Sequence, residues 1–306
     1  MTRPRTFAEG AILRPGAVRS LAALLSRLSP AGRSALVFLT LLALLGLAAP
    51  LLPLADPASV NLAQKLAGPG PEHWLGTDSL GRDLMSRVIW GVRSSLLTAL
   101  AATAATALFG ALYGGIAAAF GSRVDSIMMR LCDFWMSFPS EVMILAVVGL
   151  LGPGLENVVI ACLAAKWPWY ARMVRTLARR MLDAGFVVFA RVSGARPRDI
   201  LLRHILPNAS AEFCVLATVD SASVLLMISA LSFLGLGVSA PNPEWGMMLA
   251  EARNVMTLYP WQMLPPGLAL LGAAAALHFL GDALAEVLDP KNALRARDPG
   301  AVREAP

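Results

Sequence analysis

Lysine is scarce in this chain, and that scarcity removes one source of energy at once. Only Lys65, Lys166 and Lys291 occur among 306 residues, and they follow Gln64, Ala165 and Pro290. A P-loop needs a lysine directly after a glycine to hold phosphates, so ATP hydrolysis by that route is excluded. Histidine and cysteine are equally sparse, with three of each. His73, His204 and His278 are isolated from one another and no Cys-x-x-Cys occurs, so no metal-ligand spacing is present. Cys132, Cys162 and Cys214 lie in or beside apolar runs, where a free thiol behaves as a small hydrophobe, and no disulfide framework is implied. Neither G-x-S-x-G nor H-E-x-x-H appears. Catalytic residues and a resident cofactor or metal are therefore not expected: the chain reads as a conduit without an engine, and not as an enzyme.

Charge is also short. Charged residues make up 15% of the chain against 57% hydrophobic, and mean hydropathy is +0.63, too apolar for an ordinary soluble domain. Crossing a hydrocarbon core of about 30 Å takes roughly 20 residues of helix, and six runs of that kind can be counted. They lie at about 35–54, 94–120, 127–151, 158–174, 213–236 and 263–284. The second is rich in Ala and Gly, as closely packed membrane helices often are. The fourth is interrupted by Lys166 and Pro168. A closed β-barrel needs alternating strands of about ten residues, whereas these runs are continuous, so an all-α polytopic bundle of six transmembrane helices is expected.

Lys and Arg are retained on the cytoplasmic side of short loops, which orients the bundle. Six arginines precede the first run, Arg123 and Arg130 follow the second, eight lie from Arg172 to Arg203, and Lys291, Arg295, Arg297 and Arg303 follow the last. The opposite side holds Lys65, Arg82, Arg87, Arg93 and Arg253. Both termini are thus expected to be cytoplasmic, with tails at 1–34 and 286–306, external loops at 55–93 and 237–260, and a core at 94–285. The net charge of +6 reflects topology and anionic lipid, with no nucleic acid needed to explain it. A cleaved signal peptide is disfavoured: the first run begins only at Ala35 and no A-x-A pattern ends it.

The segment 176–210 carries arginines that no lipid-facing span tolerates, yet it repeats apolar residues at Ile200, Leu201, Ile205 and Leu206, the spacing of a short helix with one greasy face. Pro197 suits a first helical turn, and Asp199 then faces the positive end of the helix. Asp199 and Arg203 are an acid-first i, i+4 pair. Pro207 is expected to stop the helix, and Gly194 allows a bend before it. Leu201, Ile205 and Leu206 buried in a partner groove would contribute about 1.5–3 kcal/mol each. The same pattern fits an amphipathic helix lying on the inner leaflet.

Here a family resemblance enters. Gly194-Ala195-Arg196-Pro197-Arg198-Asp199-Ile200-Leu201-Leu202-Arg203-His204-Ile205-Leu206-Pro207-Asn208 resembles the EAA loop of ABC importer permeases, although Val188, Phe189 and Ala190 stand where the family has Glu-Ala-Ala. Three further stretches are similar to C-type permease subunits of dipeptide, oligopeptide and nickel importers: His73-Trp74-Leu75-Gly76-Thr77-Asp78-Ser79-Leu80-Gly81-Arg82-Asp83; Leu231 to Gly237 with Glu244-Trp245-Gly246; and Gly281-Asp282-Ala283-Leu284 running to Pro290. Trp167-Pro168-Trp169-Tyr170 is nearer in feel to nickel and metallophore permeases. The resemblance implies a type I ABC importer permease in a bacterial inner membrane, passing nickel or a metal chelate, or a di- or oligopeptide, delivered by an extracytoplasmic binding protein. It further implies a second, B-type permease subunit and two ATPase subunits, which use the ATP and Mg. Ala190, Arg191, Gly194, Ala195, Asp199, Leu201, Ile205, Leu206 and Pro207 are then the residues that couple to the ATPase.

Charges within spans each need a reason. Asp133 lies three residues after Arg130 and reads as its helical partner; Asp220 has no neighbour within one turn, and Lys166 lies beside two tryptophans, where it either snorkels to an interface or lines a cavity, so both are candidates to line the translocation path. Asp78, Arg82, Asp83 and Arg87 are expected to pair among themselves and hold the first external loop on the bundle. Two rival classes fit less well. A secondary transporter is expected to show paired repeats, and none is found; an intramembrane hydrolase needs converging catalytic groups, and none converge.

Overall fold

The computed structural model describes residues 27–120, 122–182, 185–194, 196–200, 206–238 and 241–288. Helix α1, Pro30–Ala48, starts where the Ser29 hydroxyl accepts from the Gly32 N–H at 3.2 Å and Pro30 takes the first helical position. An irregular segment leads to α2, Leu84–Val92, capped by the Asp83 carboxylate, which accepts from Ser86 N–H at 2.7 Å. A π-turn at Arg93–Leu97 passes directly into α3, Thr98–Ala119, giving one helical stretch from Leu84 to Ala119. The helix thus begins well before the expected 94, because the Asp83 cap and not the apolar run sets its start.

The expected third span, 127–151, is two helices. α4, Ser122–Met136, and α5, Ser140–Leu151, meet at 78° across the break before Pro139, whose ring disfavours a helical Phe138. α6, Leu155–Leu182, has 28 residues and runs unbroken through Pro168. Proline at 168 leaves the Ala164 carbonyl without its helical donor, and the Trp135 indole N–H of α4 supplies one at 2.6 Å. The helix therefore keeps its course at a position where a break would otherwise be expected.

Beyond α6 come α7, Gly185–Val192, and the short α8, Pro197–Ile200. α9, Leu206–Phe233, follows, then α10, Trp245–Arg253, and α11, Leu264–Leu288. No strand is present among the described residues. Among the described residues four helical stretches, Pro30–Leu51, Leu84–Ala119, Glu212–Phe233 and Pro260–Leu288, are long and apolar enough to cross a membrane, and the bent pair, counted as one span, is a fifth. The fourth expected span, in α6, has the length but carries Lys166-Trp167-Pro168-Trp169-Tyr170 in its middle.

The bundle is centred on α3 and α6, which approach so closely that a Cβ on Gly110 would lie 2.4 Å from the Tyr170 Cβ and one on Gly114 2.1 Å from the Ala171 carbonyl oxygen. This Gly-x-x-x-Gly spacing brings two backbones together where apolar burial gives no drive within lipid. Tyr113 and Trp167 stack edge-on at 4.7 Å beside the contact. α9 packs on α3 and α11, and α1 lies outermost against α11. The apolar side chains left exposed on α1, α3 and α11, such as Leu41, Leu108 and Leu271, form the bundle's outer surface.

Candidate functional site

Two faces close the bundle. The loop face holds the segment between α1 and α2 together with α10; the arginine face holds the ends of α3, α6 and α11 and the helices α7 and α8. On the loop face, Asp78 accepts from the Arg82 Nε at 2.6 Å and from the backbone N–H of Leu80 and Arg82. Arg82 and Arg87 both reach Glu251 of α10, at 2.8 and 2.9 Å. Both guanidiniums are fully buried, so this is an internal ionic lattice clamping the segment onto α10. The expected pairing among Asp78, Arg82 and Arg87 is present, but Asp83 instead caps α2 and bonds His73 at 2.9 Å. Glu251, 169 residues from Arg82 along the chain, carried no local signal.

Glu244, singled out in the sequence only as part of a family motif, has a structural role that no local pattern signalled. Its carboxylate is fully buried, accepts from the hydroxyls of Ser95 and Ser229 at 2.9 and 2.8 Å, and caps α10 by accepting from Met247 N–H at 2.9 Å. One side chain thus joins the π-turn, α9 and α10. Glu244→Gln keeps an acceptor for both serines but turns an NH2 group toward the Met247 N–H, at a cost of about 1–3 kcal/mol. A lowered thermal midpoint of the purified protein is expected, with a larger fall for Glu244→Leu; an unchanged midpoint in both would refute this role.

Within the bundle, Lys166 of α6 and Asp220 of α9 form an ion pair through Lys166 Nζ and Asp220 Oδ1. Tyr170, one turn beyond Lys166, donates its hydroxyl to Asp220 Oδ2 at 2.7 Å. The two charges that look solitary in sequence are therefore each other's partner, and each side chain keeps only 14% of its surface exposed. Among the described residues no three His, Cys, Asp or Glu side chains gather in a group suited to a metal.

The arginine face is tied differently from expectation. Asp133 pairs with Arg172 of α6 and not with Arg130, because α4 lies across α6 and offers its acid there. Asp125, fully buried, receives Arg175 in a two-pronged contact at 2.6 Å each and Arg179 at 2.5 Å. Arg172, Arg175 and Arg179, the first three of the eight arginines from Arg172 to Arg203, thus fasten α6 to α4.

α7 and α8 follow on this face. Val187 is buried, Ala190 half-buried, and Val188, Phe189 and Val192 exposed, Phe189 at 74% and Val192 at 82%. Gly194 has φ +86° with open space where a side chain would go, so it bends the chain in the left-handed region. Asp199 is half-buried in α8. Ile200 is buried within this chain and does not belong to an exposed apolar face. Pro207 does not stop a helix: α9 begins at Leu206 and holds Pro207 in its first turn, where a missing N–H costs nothing. Ala195, Leu201 and Ile205 lie outside the described residues, as do the side chains of Arg191, Leu206 and Pro207.

A multi-pass helical bundle with a buried ion pair, a locked loop face and helices carried beyond its arginine-rich end has the form of a membrane permease. Residues 110–293 match the family described as binding-protein-dependent transport system inner membrane component, and the chain belongs to that family. It is a permease subunit of an ABC importer. It is 41% identical over 258 residues to the nickel transport system permease protein NikC of Escherichia coli, covering 84% of this chain and 93% of that one. Identity is 40% over 273 residues with the metal-staphylopine import system permease protein CntC of Staphylococcus aureus, covering 88% and 94%. With the dipeptide transport system permease protein DppC of Alkalihalophilus pseudofirmus it is 37% over 256 residues, covering 84% of each.

Proposed function

We propose that this subunit carries nickel or a small metal chelate inward, delivered by an extracytoplasmic binding protein, and works beside a B-type permease and two ATPase subunits that bind ATP and Mg. Both termini and the arginine face lie in the cytoplasm; the loop face meets the binding protein. Support for the cargo comes from the names of the relatives with 41% and 40% identity, set against 37% for the dipeptide permease, and from the Trp167-Pro168-Trp169-Tyr170 stretch. Selection by a separate receptor also accounts for a chain with few candidate metal ligands. Titrating the purified cognate receptor with nickel, nickel chelates and dipeptides tests the cargo; tight dipeptide binding with no response to metal overturns it.

Coupling is proposed to pass through 190–207, with Ala190, Arg191, Gly194, Ala195, Asp199, Leu201, Ile205, Leu206 and Pro207 at the ATPase contact. The observation that carries this reading is α7, which sits beyond α6 on the arginine face with Phe189 and Val192 turned to solvent. In this chain apolar contacts take the place of the family's acid. Phe189→Glu and Gly194→Val, the second forcing a β-branched residue into the left-handed region, are expected to abolish co-purification of the ATPase and uptake while leaving membrane insertion intact. Normal recruitment and uptake in both variants would sink the assignment. Lys166 and Asp220 are proposed to lie beside the translocation path, a reading supported by the 14% of each side chain that stays exposed.

A further inference from the structure

Between α1 and α6, floored by α3, runs an open groove of about 560 Å3 walled by Leu47, Leu97, Ala101, Val159 and Ile160. Its walls are apolar, but Arg93, in the π-turn inside the Leu84–Ala119 stretch, and Glu156, in the first turn of α6, both line it. A second recess, of about 500 Å3, shares Arg93 and Leu155 and adds the polar groups of Ser94 and Asn242 beside Trp90. Arg93 holds its guanidinium over the Trp90 ring, 5.5 Å from its centre. An arginine on a tryptophan where the apolar run of a helix begins marks the boundary between hydrocarbon and water. Neither Arg93 nor Glu156 forms an ion pair among the described residues, although both are charged and exposed.

We infer that this groove binds a phospholipid whose headgroup carries both a phosphate and a primary ammonium. One acyl chain lies along Leu97, Ala101, Val159 and Ile160, the phosphate meets Arg93, and the ammonium donates to Glu156. The charge pattern chooses among lipids. A purely anionic headgroup satisfies Arg93 but faces Glu156 with like charge, and a choline headgroup has no N–H to donate. The apolar wall alone would accept any chain; the two opposite charges at one end select the zwitterion. The inference rests on placement in a membrane and is independent of the cargo and of the coupling contact.

The test uses the complete importer, permease pair with ATPase subunits, purified in mild detergent from membranes of mixed lipid and examined by native mass spectrometry. Phosphatidylethanolamine is expected to be retained about tenfold over phosphatidylglycerol and phosphatidylcholine, the difference one charge-assisted hydrogen bond makes. Arg93→Gln should lower retention of all three, whereas Glu156→Gln should remove the preference over phosphatidylglycerol. Both side chains are exposed and without an ion-pair partner, so folding should be unaffected, and an unchanged elution profile verifies this. A photo-crosslinking residue at Ile160 should capture lipid. Equal retention of the three lipids, indifference to both variants, or capture of the second permease subunit at Ile160 would each overturn the inference.

Discussion

Lys166→Met is expected to reduce folded protein in the membrane severely, and adding Asp220→Asn to it is expected to restore most of the loss. The single change leaves a carboxylate within the bundle whose ammonium partner is gone, with only the Tyr170 hydroxyl to answer it. Removing one member of a buried pair typically costs about 3–5 kcal/mol, while replacing both is often near neutral. In the double variant the introduced amide would still accept from Tyr170, and the methionine would fill the space of the lysine stem. Folded yield, read by size-exclusion chromatography of a fluorescent fusion, should therefore show coupling of about 2 kcal/mol between the sites. Additive losses would mean that the two charges do not depend on each other. Uptake separates structure from passage: a double variant that folds but fails to transport places the pair on the path, and one that does both makes it a brace between α6 and α9.

Gly114→Leu should be at least as damaging. Even the first carbon of the new side chain would lie 2.1 Å from the Ala171 carbonyl oxygen, and backbone on backbone has no rotamer by which to yield. α3 and α6 must separate, giving up the Tyr113–Trp167 contact and opening the centre of the bundle; about 3 kcal/mol or more is expected, at or above the upper end of ordinary overpacking. Gly149→Leu is the control, since a Cβ there meets nothing within 4 Å. The chromatographic assay should show collapse of the first variant and a near-normal profile for the second. Equal behaviour of the two would refute the close approach as the cause.

Much of the architecture is legible because lipid imposes a crude code. Continuous apolar runs must be helices, and most of the expected spans lie within helices of the bundle. Sequence and structure part where a local signal depends on a remote partner. Pro139 is the signal for the break in the third span, and Pro168 looks like a stronger break than it is because Trp135, which satisfies Ala164, is remote in sequence. Pro207 reads as the end of one helix although proline is as well suited to the start of the next. Asp133 has an arginine near it on its own helix, whereas the crossing of α4 over α6 presents Arg172. In the same way the lattice of Asp78, Arg82 and Arg87 is visible within one loop, but its anchor Glu251 is not.

The sequence by itself determined that this is a helical membrane protein, where its helices are broadly placed, and, through its motifs, the family to which it belongs. These follow from composition and local pattern, because hydropathy and backbone satisfaction in lipid act over roughly 20 consecutive residues. Tertiary structure alone decided which charges on different helices neutralise one another, which carbonyls accept from distant side chains, and that Ile200 is buried while Phe189 is bare. Those outcomes depend on how helices cross, and a crossing is set by close contacts such as Gly114 on Ala171, between residues whose separation along the chain leaves no periodic trace.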